Sequence, residues 1–340
     1  MKRKNSNVLK LKNFFTENPK VKELYSKFKQ ILFKYNKHKS FAVAVSGGPD
    51  SMALVAMSNY LLYEKNYKFL FVIVDHGIRK NSYNEALNLR KILKKNNINL
   101  KILRNKKKIK SNIQKTARDI RYELLAEFCR KNSIKNLLVA HHQDDQVETF
   151  LMRLSRGSGV EGLSSMSEMT KIKYNIHLIR PFLDYKKKEL QYVSKIIFGK
   201  TFKDPSNKNK KFLRTNIREL KRTLEDKGVN FEKIVRSIKN ISSSKEAINF
   251  YVERSIKKYV KFKKKEIILN LRGFKQEPKE VRFRIINSII KKSSGSYYPP
   301  RSKKVLNLIK NFQNNNFIKS TLGGCIFVKK NNQLLISREF

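Results

Sequence analysis

The sequence predicts an α/β protein: a doubly wound, mainly parallel sheet, then a helical domain and a small α+β C-terminal domain. Three observations predict it. Residues 41–51 read FAVAVSGGPDS, a short β-branched and aromatic run, a Gly-Gly-Pro turn and the start of an apolar helix. Further apolar runs alternate with helical stretches up to about residue 180. These runs are apolar throughout rather than at every second position, as in strands covered on both faces. After Arg180-Pro181-Phe182 the alternation stops and basic helical sequence takes over.

The elements follow in order. Residues 1–40 are basic, with Val21, Leu24, Tyr25, Phe28, Ile31, Leu32 and Phe33 at helical spacing, and read as a helix leading into the sheet. Residues 41–45 are the first strand and 69–74 the second. Residues 84–96 are a helix with Glu85 early and Arg90, Lys91, Lys94 and Lys95 late, in keeping with the helix dipole. Residues 100–103 form the third strand, 112–131 a helix and 137–140 the fourth strand, with a helix after it ended by Gly157-Ser158-Gly159. Residues 185–255 are helical, 267–269 a strand and 281–290 a helix. Residues 321–328 and 334–337 flank KKNNQ as a terminal hairpin. The expected division is a lead-in at 1–40, a nucleotide-binding domain at 41–183, a basic helical domain at 184–255 and a C-terminal α+β domain at 256–340.

In a parallel sheet, ligands gather beyond the carboxyl ends of the strands, and three polar motifs fall there. Ser46, Gly47, Gly48, Pro49, Asp50 and Ser51 form a strand-to-helix turn. Its small residues admit close backbone approach, and its free amides and helix dipole suit a phosphate. VDHGIR places Asp75 and His76 at a strand end, where they can contact a ribose, base or metal or simply cap the turn. AHHQDDQVET gathers His141, His142, Asp144, Asp145 and Glu148 within eight residues. Asp145 and Glu148, spaced i, i+3, share one helix face and can hold Mg²⁺ or grip a cationic amine. Zinc is disfavoured, since adjacent histidines lack the HxxxH spacing and no cysteine is near. Arg118 and Arg121 lie on one helix face, which suits either solvent or phosphates.

Composition narrows the partners. Lys and Arg number 77 against 27 Asp and Glu, a net charge of +50 spread along 340 residues. Codon bias accounts for part of it, but so few acids favour a polyanion partner, most simply nucleic acid. Lys208, Lys210, Lys211, Arg214, Arg218, Lys221 and Arg222 form the densest basic stretch and read as an RNA-contacting face. Cys129 and Cys325 are the only cysteines and lie far apart, which argues against a disulfide framework, a structural zinc site or an iron–sulfur cluster. No run approaches the length of a membrane span, and the basic start lacks a signal peptide's apolar core, so a cytoplasmic protein is expected.

SGGPDS resembles the loop of the PP-loop pyrophosphatases, which split ATP into AMP and pyrophosphate, and is not a Walker A loop. SGGPDS, VDHGIR, ARDIRY, AHHQDDQVET, RLSRGSGVEGL, IRPFLDYKKKEL and KDPSN together resemble, in order and approximate spacing, the tRNA(Ile)-lysidine synthases over about residues 40–220. The resemblance implies ATP-dependent attachment of L-lysine to C2 of the wobble cytidine of an isoleucine tRNA with a CAU anticodon. It makes Ser46 to Ser51 the ATP loop, Asp145 and Glu148 the residues that recognise the lysine amine, Arg121 a support for the reacting groups, and Arg214 the arginine of the family's RNxxR segment. Thr215 departs from the Asn usual in that segment, and the Pro expected after it is missing. The chemistry implied calls for Mg²⁺, with Asp50 as its ligand, and a homodimer is an open expectation. A PP-loop tRNA thiolase and a nonenzymatic RNA-binding protein are the competing readings. The first wants paired cysteines. The second would bind RNA without ATP turnover.

Overall fold

The computed structural model describes residues 13–35, 39–64, 67–78, 81–105, 113–199, 213–294, 300–312, 314 and 317–339. KDPSN, Arg79, Lys208, Lys210 and Lys211 lie outside the described residues, as does the side chain of Arg222. The chain divides into two compact units, Met1–Lys239 and Asn240–Phe340.

In the first unit, Pro19–Lys34 (α1) begins where Asn18 accepts the Val21 amide at 3.2 Å and Pro19 fills the first turn. Then come β1 (Ser40–Val45), α2 (Pro49–Glu64), β2 (Lys68–Asp75), α3 (Ser82–Lys95), β3 (Leu100–Arg104), α4 (Ile113–Lys131), β4 (Asn136–Leu138), α5 (Gln143–Leu154) and the short α6 (Val160–Leu163). The strand expected at 137–140 therefore stops at Leu138, where its pairing with β1 and β6 ends. Met169–Ile172 (β5) and Ile176–Ile179 (β6) make an antiparallel hairpin, followed by α7 (Lys187–Phe198) and α8 (Leu213–Asp226).

The sheet order is β3-β2-β1-β4-β6-β5, parallel except for β5. β1 is covered on both sides. Phe41, Val43 and Val45 enter a core with Leu24, Phe28 and Leu32 of α1, Met52 and Leu54 of α2 and Leu190 of α7. Ala42 enters the other core, with Leu125, Ala126 and Cys129 of α4. Small Ala on one side and Phe and Val on the other fit helices at different depths, which explains why β1 has no polar alternation. The order reverses at β1, between β2 and β4. A sheet of this kind opens its crevice at that point, above the carboxyl ends of β1 and β4.

Phe231–Tyr259 (α9) runs from the first unit into the second. The second unit holds β7 (Val260–Phe262), β8 (Ile267–Asn270), α10 (Leu271–Gln276), α11 (Lys279–Ser294), α12 (Ser302–Asn311), β9 (Lys319–Leu322), β10 (Cys325–Lys330) and β11 (Gln333–Arg338). Its antiparallel sheet, β7-β8-β11-β10-β9, buries Leu269, Phe327, Leu334 and Ile336 against Ile285, Ile286 and Ile289 of α11 and Val305 of α12. The single strand expected at 321–328 is two strands. Gly323 and Gly324 both have positive φ (64° and 73°) and turn the chain between β9 and β10.

Candidate active site

The loop after β1 is shaped by three residues. Gly47 has φ 83°, a left-handed conformation that a side chain opposes. The Ser51 hydroxyl donates to the Gly48 carbonyl at 2.9 Å and accepts the Ser46 amide at 3.1 Å, so it staples the turn from within. The first helical bond of α2 runs from the Met52 amide to the Gly48 carbonyl at 3.0 Å. The amides of Asp50 and Ser51 precede that bond and point along the axis, as at phosphate-binding helix starts. Gly47→Ala is expected to cost about 1–2 kcal/mol for the left-handed residue and to raise the KM for ATP. Urea unfolding and an ATP titration check both.

Beyond β4, His142 caps α5. Its Nδ1 accepts the Asp144 amide at 3.2 Å, and Asp145 Oδ2 accepts the His142 amide at 3.1 Å, a reciprocal cap. His142 Nε2 lies 3.6 Å from Asp145 Oδ2 and 3.5 Å from Oδ2 of Asp50, at the start of α2. The loop after β1 and the acidic cluster therefore meet on one ring. Burial opposes protonation of His142, yet the Asp50 carboxylate facing its N–H and the charges of Asp145, Asp50 and Asp144 outweigh it and raise its pKa. His141 goes the other way. Burial pushes it down to about 3 against the pull of Asp145, with Arg180, Arg118 and Arg214 adding to the fall. The other polar residues of the motif serve the frame. The Gln146 side chain exchanges two hydrogen bonds with the Met166 backbone, both 2.8 Å. Arg153 donates to the carbonyls of Gly162 and Ser165 at 2.7 and 3.0 Å.

The acids have partners on α8. Glu148, 3% exposed, accepts Arg214 Nε at 2.9 Å on one oxygen and Arg218 Nε at 2.6 Å on the other. Arg214 Nη2 also reaches Asp145 Oδ1 at 3.4 Å, and Lys221 pairs with Asp144. Arg214, Asp145 and Glu148 are thus brought together, as are Ser46 to Ser51. Arg121 is on α4, its guanidinium 5.9 Å from the Tyr122 ring centroid. The basic stretch read as an RNA face is different in its described part: Arg214, Arg218 and Lys221 turn inward onto the protein's own carboxylates. The Asp75 carboxylate, half of an open reading, is spent on its own turn. It accepts the Gly77 amide at 3.0 Å and the Ser82 hydroxyl at 2.6 Å.

Among the described residues no group of three or more His, Cys, Asp or Glu side chains is arranged to hold a metal ion. Asp50 Oδ1 is nevertheless buried with no hydrogen-bond partner among the described residues. One carboxylate oxygen beside a phosphate loop suits Mg²⁺, which takes few protein ligands and fills its shell from phosphates and water.

The PP-loop domain family model matches residues 19–224. The tRNA(Ile)-lysidine synthase of Wolbachia pipientis wMel is 35% identical over 303 residues, which is 88% of this chain and 70% of that protein. The chain belongs to the tRNA(Ile)-lysidine synthase family. The tRNA(Ile)-lysidine synthase of Rickettsia typhi (strain ATCC VR-144 / Wilmington) is 34% identical, covering 88% of this chain and 69% of its own length. Among solved structures, the U34-tRNA thiolase NcsA from Methanococcus maripaludis aligns with a TM-score of 0.56 at 20% identity, over 66% of this chain and 80% of that one. That likeness concerns the fold alone. Membership of the synthase family makes the chain a tRNA-modifying enzyme of the ligase type with an ATP-using PP-loop domain. No helix among the described residues is long and apolar enough to cross a membrane.

Proposed function

We propose that the protein ligates L-lysine to C2 of the wobble cytidine of the CAU-anticodon isoleucine tRNA, consuming ATP in the cytoplasm. The observation that carries this reading is the meeting of two half-sites at His142. An anion-binding loop lies on one side of the ring and a buried carboxylate suited to an amine on the other, 3.5 and 3.6 Å from Nε2.

The reaction has two balanced steps. In the first, the cytosine O2 attacks the α-phosphorus of ATP, an O–P bond forms, and the α–β bridge breaks to release pyrophosphate. The amides of the loop after β1 hold the phosphates and the dipole of α2 favours their charge. Mg²⁺ held by Asp50 and the triphosphate would neutralise charge on the leaving pyrophosphate. In the second step, the lysine ε-amine attacks C2, a C–N bond forms, and the C2–O bond breaks to release AMP. The amine arrives as an ammonium and must lose a proton before its nitrogen attacks. Asp145 and Glu148 orient it, and one of them receives its proton. Arg214 joins the two acids and fixes their spacing. Arg121 is assigned to support of the reacting groups. The positive excess of the chain draws in the tRNA, with binding that weakens as salt rises.

Incubation of the folded protein with the CAU isoleucine tRNA transcript, ATP and radiolabelled lysine tests the reading. Label on the tRNA that depends on ATP supports it, and no label overturns it.

A thiolase reading gains nothing from the cysteines. Cys129 and Cys325 are both buried and lie in different compact units. Burial also raises the Cys129 thiol to about 12, far from a reactive thiolate. The double variant Cys129→Ala/Cys325→Ala is expected to keep lysine ligation within about threefold and to lose about 1–2 kcal/mol of stability from the small cavities left. Ligation rate and thermal unfolding of the variant check this.

A further inference from the structure

His142 joins two groups with separate tasks. Its side chain is 5% exposed, and its Nδ1 accepts the Asp144 amide at 3.2 Å. That bond uses the Nδ1 lone pair, so in the neutral ring the proton sits on Nε2. Nε2 stands between Asp50 Oδ2 at 3.5 Å and Asp145 Oδ2 at 3.6 Å. Both distances exceed a good hydrogen bond, so the Nε2–H faces both oxygens and is given to neither. Asp50 still has Oδ1 buried without a hydrogen-bond partner among the described residues, and it begins the helix that carries the phosphate loop.

We propose that His142 is a positioning residue that couples nucleotide binding to lysine binding. Once a nucleotide and its cation draw the Asp50 carboxylate toward the loop, the Nε2–H passes to Asp145 and fixes its Oδ2 for the incoming amine. The inference rests on the ligase reading above and adds an order of events to it: the nucleotide prepares the amine site. Linkage makes the effect reciprocal, so lysine tightens nucleotide binding by the same factor.

Two substitutions separate the two ends of the ring. In His142→Asn the side-chain oxygen falls near the place of Nδ1 and keeps the cap, since Asn is among the best N-cap residues, but nothing reaches the carboxylates. In His142→Gln the longer amide reaches toward the place of Nε2 and supplies an N–H there. Calorimetric titration of the full-length protein with lysine, alone and with the α,β-methylene analogue of ATP plus Mg²⁺, reads the coupling without turnover. The analogue is expected to tighten lysine about tenfold in the wild type, a typical coupling. In His142→Asn, with an unfolding midpoint close to wild type, the factor is expected to fall below about threefold, and His142→Gln is expected to recover part of it. Full coupling in His142→Asn overturns the proposal. Loss of coupling in both variants overturns it too, because it would mark the ring as a structural support alone. A wild type that ligates lysine yet shows no coupling defeats this inference and leaves the ligase reading standing, whereas absence of ligation defeats that reading.

Discussion

Glu148→Gln is expected to destabilise the first unit by about 2 kcal/mol and to lower lysine ligation at least about 100-fold. The carboxylate is nearly fully buried and gives one oxygen to each of two guanidiniums, at 2.9 and 2.6 Å. An amide of the same shape can accept from one of them, but it turns its NH₂ toward the other. Two positive groups then face each other with the more distant Asp145, 3.4 Å from Arg214, as counter-charge. A fully buried pair that loses one partner costs about 3–5 kcal/mol. Here the arginine side chains are 34% and 33% exposed, so water screens part of the loss and the smaller figure applies. Urea unfolding measures the first effect and the tRNA lysine-transfer assay the second. The double variant Glu148→Gln/Arg218→Gln separates them. It removes one positive charge with the negative one, so at least half of the stability should return while ligation stays low. If ligation returned with stability, Glu148 would be a strut for α8 and nothing more.

The same pair of helices shows which parts of the site could be read from the chain and which could not. SGGPDS was legible because backbone demands force it: Gly47 takes a left-handed φ, Pro49 opens a helix, and the Ser51 hydroxyl closes the turn on Gly48. The order of strands followed from apolar runs that fill both faces of β1. The hairpin β5–β6 was not legible. Its strands have four residues each, and the turn between them, Lys173–Asn175, holds neither Gly nor Pro. The partners of the acids were missed for another reason. Arg214, Arg218 and Lys221 are spaced i, i+4 and i+7, so they share a face, but a basic face looks the same whether it meets RNA or carboxylates 66 to 77 residues earlier. The signal was present in the match of two helices, with Asp144, Asp145 and Glu148 on one offering a complementary stripe. His142 was missed as a cap because histidine is not a usual one, although the aspartate three residues later gives the capping-box spacing.

Asp145→Asn is expected to separate the two chemical steps. Asp145 is held from three sides: the His142 amide at 3.1 Å and Nε2 at 3.6 Å on one oxygen, and Arg214 Nη2 at 3.4 Å on the other. Burial alone would raise its pKa, but the charges of His142, His141 and Arg214 and the backbone bond overcome it, so the folded value lies below the ordinary 3.8. Its ionised form therefore adds stability above the ordinary carboxylate range, and that stability is lost as pH falls through the lower folded value. At neutral pH it is an anion at the proposed amine site. Asparagine keeps an oxygen for the His142 amide, so the cap of α5 survives and the unfolding midpoint should move by only a few degrees. What it loses is the charge that draws and aligns an ammonium and the oxygen able to take its proton, which together are worth about 10²–10⁴-fold in rate. Pyrophosphate release from ATP in the presence of the tRNA uses the loop after β1 and not this carboxylate, so it should persist within about tenfold, while transfer of lysine falls by about 10³-fold. Parallel assays for pyrophosphate and for labelled tRNA decide the matter. Equal loss of both activities in a folded variant would place Asp145 in the nucleotide half of the reaction. Equal retention of both would remove it from the reaction altogether.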